Sequence, residues 1–200
     1  MKKVLSLFLL LFGLFCQSQE LLPFVENYDK SSYKGDNQVW SVVQGQDKAM
    51  YFANNHYLLR YNGVVWEKYL LPNKTIIRSI FSDGDRIYSG SYKEFGYWKR
   101  SGGKMFYFSI SKRKNIFFEN ENEEIWKIFK VNDAIYFQSF NQLYVYEKGS
   151  VKKITFPYMI SYCFLIDGDI FVATVEKGIF KLVQNQLKAI PGWDVLKNSV

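Results

Sequence analysis

The chain writes one short pattern four times. In Met50-Tyr51-Phe52-Ala53, Ile87-Tyr88-Ser89-Gly90, Ile135-Tyr136-Phe137-Gln138 and Ile170-Phe171-Val172-Ala173 an aromatic residue sits inside a strand-like run. A turn and a second aromatic run follow each copy. With Tyr51, Tyr88, Tyr136 and Phe171 as markers, the steps are 37, 48 and 35 residues. Repeats of this length, made of short strands, predict an all-β array of propeller blades, because one such unit cannot bury its apolar face alone. Arrays of this kind often serve as binding scaffolds.

Each copy resolves into four strands. In the first, Val39 to Val43, Ala49 to Ala53, Tyr57 to Tyr61 and Val64 to Tyr69 are separated by polar turns. Asn62-Gly63 between apolar runs is a strong hairpin signal, since both residues tolerate positive φ. The second copy has strands at Ile76–Ile80, Arg86–Ser89, Glu94–Lys99 and Lys104–Ile110. The third has them at Glu124–Phe129, Ala134–Gln138, Gln142–Tyr146 and Val151–Phe156. The fourth begins at Ile160, turns at Asp167-Gly168, and continues through Asp169–Ala173, Gly178–Val183 and Gln186–Ile190. Pro72, Pro157 and Pro191 close three of the outer strands, where no central ladder bond is lost. The long step of 48 residues implies an insertion at about residues 112–123, running over a rim between blades. The predicted blades span 39–75, 76–123, 124–159 and 160–200. A propeller needs a closed ring, typically of about four to eight blades. Four copies, with a fifth starting near Trp193, therefore predict part of a larger propeller. A compact four-bladed ring is the alternative.

The opening of the chain reads as a secretory signal peptide over residues 1–18: Lys2 and Lys3, then an apolar run from Val4 to Phe15 that is short for a bilayer span. Residues 19–38 are a lead-in. Lipidation at Cys16 is disfavoured by the bulky Phe15 before it. Cleavage would remove two lysines and lower the formal charge from +7 to +5. That surplus is spread thinly. Lys112-Arg113-Lys114 is followed by Glu119, Glu121, Glu123 and Glu124, which suits a solvated loop rather than a nucleic-acid surface. Cleavage would also leave Cys163 as the sole cysteine, a small core residue. The aromatic share of 19% is ample for a core and favours strands.

The stretch from Ala49 to Trp66, with Leu58-Leu59-Arg60-Tyr61-Asn62-Gly63 at its centre, resembles the two-component regulator propeller repeat. Gly178-Ile179-Phe180-Lys181-Leu182 is a looser match. The likeness covers roughly residues 39–190 and, as a whole, resembles the N-terminal sensor part of bacterial triple-tyrosine-motif regulators. It implies an exported, periplasmic sensor for carbohydrate or related ligands, anchored in the inner membrane. It further implies downstream triple-tyrosine, transmembrane and output domains, the last a histidine kinase or a LuxR-type helix-turn-helix. Dimerisation of the full-length protein is left open.

Catalytic signals are sparse. His56 is the one histidine, so an ordinary Cys/His zinc site is excluded. No phosphate loop or nucleophile elbow is present. Asp83/Asp85 and Asp167/Asp169 flank turn glycines and serve the turns. The expectation is therefore no catalytic residue, no cofactor and no metal. The candidate ligand contacts are polar and aromatic residues after the second strand of each copy: Asn54, Asn55 and His56; Tyr92, Lys93 and Glu94; Phe140 and Asn141; Glu176 and Lys177. Aromatic and amide groups there would suit sugar rings. The expected function is a non-catalytic, ligand-sensing propeller module. The alternatives are an exported enzyme acting on polysaccharide and a surface protein-interaction platform.

Overall fold

The computed structural model describes Pro23 and residues 25–193. The predicted signal peptide, Cys16 and most of the start of a fifth copy (residues 194–200) lie outside the described residues.

Among the described residues sixteen strands form four sheets of four. The first blade is β1 (Val39–Gln44), β2 (Met50–Asn54), β3 (Leu58–Tyr61) and β4 (Trp66–Tyr69). The second is β5 (Ile77–Asp83), β6 (Arg86–Ser91), β7 (Glu94–Ser101) and β8 (Lys104–Ser109). The third is β9 (Lys127–Val131), β10 (Ala134–Gln138), β11 (Gln142–Glu147) and β12 (Ser150–Thr155). The fourth is β13 (Ile160–Ile166), β14 (Asp169–Thr174), β15 (Gly178–Val183) and β16 (Gln186–Ala189). Strands pair antiparallel with their sequence neighbours, so every sheet is a simple meander. Two four-residue helices complete the described chain: α1 (Lys30–Tyr33) and α2 (Ile110–Arg113).

Several boundaries differ from the sequence reading. Strands β5 and β7 run on to Asp83 and Ser101, because Asp83↔Arg86 and Ser101↔Lys104 still pair and leave two-residue turns. Ile110 leaves the strand and starts α2, whose N-cap Ser109 accepts from the Lys112 amide at 3.0 Å. The third blade starts at Lys127 rather than Glu124, since Glu124 bridges to Tyr92 instead.

Side chains alternate across each sheet, and the repeat uses that alternation to glue blades together. Tyr51, Tyr88 and Tyr136 each point forward into the core shared with the next blade. Ile87, Ile135 and Ile170, one residue earlier in the next copies, point back into the same three cores. An isoleucine facing back and an aromatic facing forward thus recur at each junction.

The insertion is only partly a surface loop. Lys112, Arg113 and Lys114 are exposed, as expected. Ile116 and Phe118, however, pack on the core between blades two and three, and Glu123 is wholly buried. The lead-in is also structured: Tyr28 and Tyr33 lie against Trp66, with ring centroids 5.4 and 5.6 Å away, and cover the outer part of the first sheet.

The sheets do not close a ring. Val42 is 52% exposed, while its register equivalents Ile80, Ile128 and Cys163 are at most 6% exposed. At the other end Phe164 is 40% exposed, while its equivalent Phe129 is 7% exposed. Both end sheets therefore present apolar positions that the inner sheets bury.

Candidate functional site

The site is assembled by irregularities in the innermost strands. Pairing slips by one residue between Val39 and Ser41 in β1, between Ile77 and Ser79 in β5, and between Ile160 and Tyr162 in β13. Such bulges re-aim the unpaired side chain. The re-aimed residues are Trp40, Arg78 and Ser161. Trp126 holds the same place in the third blade, just before Lys127, and its amide donates to the Gln138 carbonyl at 2.8 Å.

These residues meet. The Arg78 guanidinium lies 4.1 Å from the Trp40 ring centroid and 4.9 Å from that of Trp126. Contacts of this type are worth about 0.5–2 kcal/mol each, the more so when water is excluded. The two indoles are 6.3 Å apart, edge to face. Glu124 fixes the arginine: Nε donates to Oε2 and Nη2 to Oε1, both at 3.1 Å. Trp40 Nε1 donates to Asn55 Oδ1 at 2.8 Å, and Phe140 lies 5.7 Å from the Trp126 ring. Among the described residues the buried Trp126 Nε1–H has no hydrogen-bond partner. Farther along, the Lys127 ammonium sits 3.5 Å over Tyr162 and donates to the Cys163 carbonyl at 2.7 Å. The result is a line of π-faces and cations along the inner strands.

Beside this rim a cleft of about 490 Å³ opens over blades three and four, lined by Asn120, Asn122, Phe140, Asn141, Tyr158 and Met159 among others. Asn120 Nδ2 donates to Asn141 Oδ1 at 3.1 Å and to Glu123 Oε2 at 2.6 Å, which orients both amides. An open cleft lined by amides and by aromatic and thioether groups can bind a polar ligand with flat apolar patches.

The predicted contacts divide. Asn55, Phe140 and Asn141 belong to this rim and cleft. His56 is exposed and paired with Asp36. Tyr92 is exposed and donates to the Glu121 carbonyl at 2.6 Å, tying the inserted segment down. Lys93 and Glu176 stand apart in their own turns, and Lys177 lies in a different cleft, with Tyr158 and Phe180. Two residues are corrected. Asn54 is fully buried; its amide donates to the Asp36 and Gln38 carbonyls and its oxygen accepts from the Asp36 amide, so it anchors the lead-in. Glu94 is 1% exposed and accepts from the hydroxyls of Tyr107, Ser109 and Ser111 at 2.7–3.0 Å, so it caps the start of α2 from inside. Both face inward because β2 ends, and β7 begins, on the packed side of the sheet.

Sequence reasoning missed Trp40, Arg78 and Trp126. Trp40 packs partly against the core between blades one and two as well as lying on the rim, a facing set by the bulge in β1 that simple alternation does not show. Aligning the copies on their inner strands would have brought the three together. Among the described residues no group of three or more His, Cys, Asp or Glu is placed to hold a metal, and no helix is long and apolar enough to cross a membrane.

No family model and no curated protein matches the chain. Solved structures do. The chain is similar to the extracellular domain of BT4673 from B. thetaiotaomicron, named a hybrid two-component system, at 17% identity and a TM-score of 0.57, over 80% of this chain and 22% of that one. It is similar to the WD40 β-propeller domain of Doa1 at 11% identity and a TM-score of 0.57, over 76% of this chain and 54% of that one. The Neurospora crassa Pan2 WD40 domain follows at 13% identity and a TM-score of 0.55, over 76% and 48%. The chain thus spans less than a quarter of the BT4673 domain. At these identities the likeness establishes one thing, the fold: four consecutive blades of a β-propeller.

Proposed function

We propose that this chain is the exported, ligand-sensing propeller part of a membrane-spanning signal-transduction regulator and does no chemistry itself. The observation that carries the reading is the rim of Trp40, Arg78 and Trp126 with Asn55, Phe140 and Asn141 beside an open cleft. It offers stacking faces and oriented amides. Carbohydrate is the ligand class that uses such a set, with ring faces on aromatics and hydroxyls on amides. The likeness to the extracellular domain of BT4673 supports an exported sensor. The two open end faces support further blades around the ring. Triple-tyrosine, transmembrane and output domains would then follow in the intact protein.

The test is titration calorimetry of the intact extracellular region with a panel of oligosaccharides. Binding that is lost in Trp40→Ala and Trp126→Ala and weakened in Asn55→Ala supports the reading. Glycan binding unchanged in these variants and in Tyr92→Ala moves the site elsewhere. Polysaccharide cleavage by the purified region would favour the enzyme reading instead.

A further inference from the structure

The opposite end of the first two blades carries a separate crevice. It lies between the β1–β2 turn and the β5–β6 turn, away from the Trp40 rim, because β2 runs from one end of the sheet to the other. Its volume is about 270 Å³, at the lower edge of the range for small-molecule sites. Ile87 and Met105 make an apolar floor, and Asp47, Asp85 and Arg100 supply charge.

The charged groups are set by a buried network. Arg60, 6% exposed, donates from Nη2 to Asp47 Oδ2 at 2.7 Å and from Nη1 to Glu67 Oε2 at 3.1 Å. Arg100 donates from Nη1 and Nη2 to the two oxygens of Glu67 at 2.8 and 3.1 Å. Those bonds use two of its five N–H donors and leave the outer edge for a ligand. Tyr51 donates to Asp47 Oδ2 at 3.0 Å. Asp85 stands at the mouth, its side chain 57% exposed and 2.7 Å from Lys99. Gly45 keeps the wall thin: a Cβ there would meet the Tyr51 ring at 2.5 Å and Asp47 at 2.6 Å.

This pattern of charges selects a ligand. A simple anion meets two carboxylates, and a simple cation meets a guanidinium. A zwitterion can add to all three groups beside their partners Arg60, Lys99 and Glu67, and the apolar floor takes a short side chain. We propose that the crevice binds a free α-amino acid with an aliphatic or thioether side chain. Its carboxylate sits on Arg100, its ammonium between Asp47 and Asp85, and its side chain on Ile87 and Met105. This site is independent of the glycan reading of the rim.

The test is calorimetry and thermal shift of the intact extracellular region with L-leucine, L-methionine, leucinamide and isocaproate. The expected result is binding of the two amino acids only, weakened at least tenfold by Asp85→Asn. That residue is exposed enough to leave folding intact, which circular dichroism checks. Gln46→Trp, placed at the lining, should block binding without touching the charges. No shift with either amino acid at millimolar concentration overturns the proposal. So does leucinamide or isocaproate binding as well as leucine, or leucine binding that is unaltered in Asp85→Asn.

Discussion

Arg100 and Glu67 join the first two blades by two parallel hydrogen bonds, 2.8 and 3.1 Å long, with Glu67 also accepting from Arg60 and Tyr69. The Arg100 hydrogen bond dominates and holds the Glu67 carboxyl down to about 2, against an ordinary 4.5. A carboxyl lowered on folding contributes stability that is complete above its unfolded value and is lost as pH falls towards the folded one. Urea midpoints should therefore drop between pH 4.5 and about 2. In Glu67→Gln the decline over that window should be shallower, and the variant should already be weaker at pH 7.

Arg60 holds Asp47 and Glu67 together from inside the blade junction. Removing one member of a buried ionic group leaves the others uncompensated, at a cost of about 3–5 kcal/mol. Asp47 and Glu67 are partly solvated, so Arg60→Met should fall at the low end of that range, about 3 kcal/mol. Chemical denaturation would measure it. A loss under about 0.5 kcal/mol, the usual size for a surface change, would show that water replaces the guanidinium.

Phe129 and Phe164 hold the same register one blade apart, yet one is 7% and the other 40% exposed. Phe129→Ala should destabilise by about 3 kcal/mol or more, as core phenylalanines do. In this four-blade chain Phe164→Ala should cost under about 1 kcal/mol, since little apolar area is lost. Equal costs would mean that the fourth blade's face is covered in solution.

Gly90 lies where a Cβ would approach Ile125 at 2.4 Å and the Ser79 hydroxyl at 2.7 Å. Gly90→Ala should therefore overpack the contact of β6 with Ile125, just ahead of β9, and cost about 1–3 kcal/mol. Thermal melting would read it, and an unchanged midpoint would show that Ile125 moves aside.

Cys163 is 1% exposed, and burial pushes its thiol up to about 12. Thiolate is the reactive form. Native protein should resist alkylation at pH 8 and react fully once denaturant opens the core between blades three and four. Rapid labelling in buffer would place Cys163 in a junction that opens locally.

Much of this was legible from residues alone. The four copies, the strand order and most turns follow from period-two alternation and from Asn-Gly, Asp-Gly and Lys-Gly signals, which act over a few residues. Asn55, Phe140 and Asn141 were reachable because they lie in turns at equivalent places in the repeat. Asn54 and Glu94 were not separable from them by sequence: polarity suggests water, whereas both satisfy backbone or hydroxyl groups inside the packed sheet. The rim itself escaped because a bulge in β1 or β5 changes the facing of Trp40 or Arg78 without changing the local composition.

The sequence by itself determined the repeated blade, its four-strand meander and the aromatic that faces forward at each junction. These depend on local periodicity and on burying one apolar face per unit. Only the tertiary structure decided that Arg78 lies against Trp40 and Trp126, that Ile116, Phe118 and Glu123 turn inward, and that Asp47, Asp85 and Arg100 converge on one crevice. Each of those depends on how separate sheets twist and stack, so residues dozens of positions apart meet only after the blades have packed.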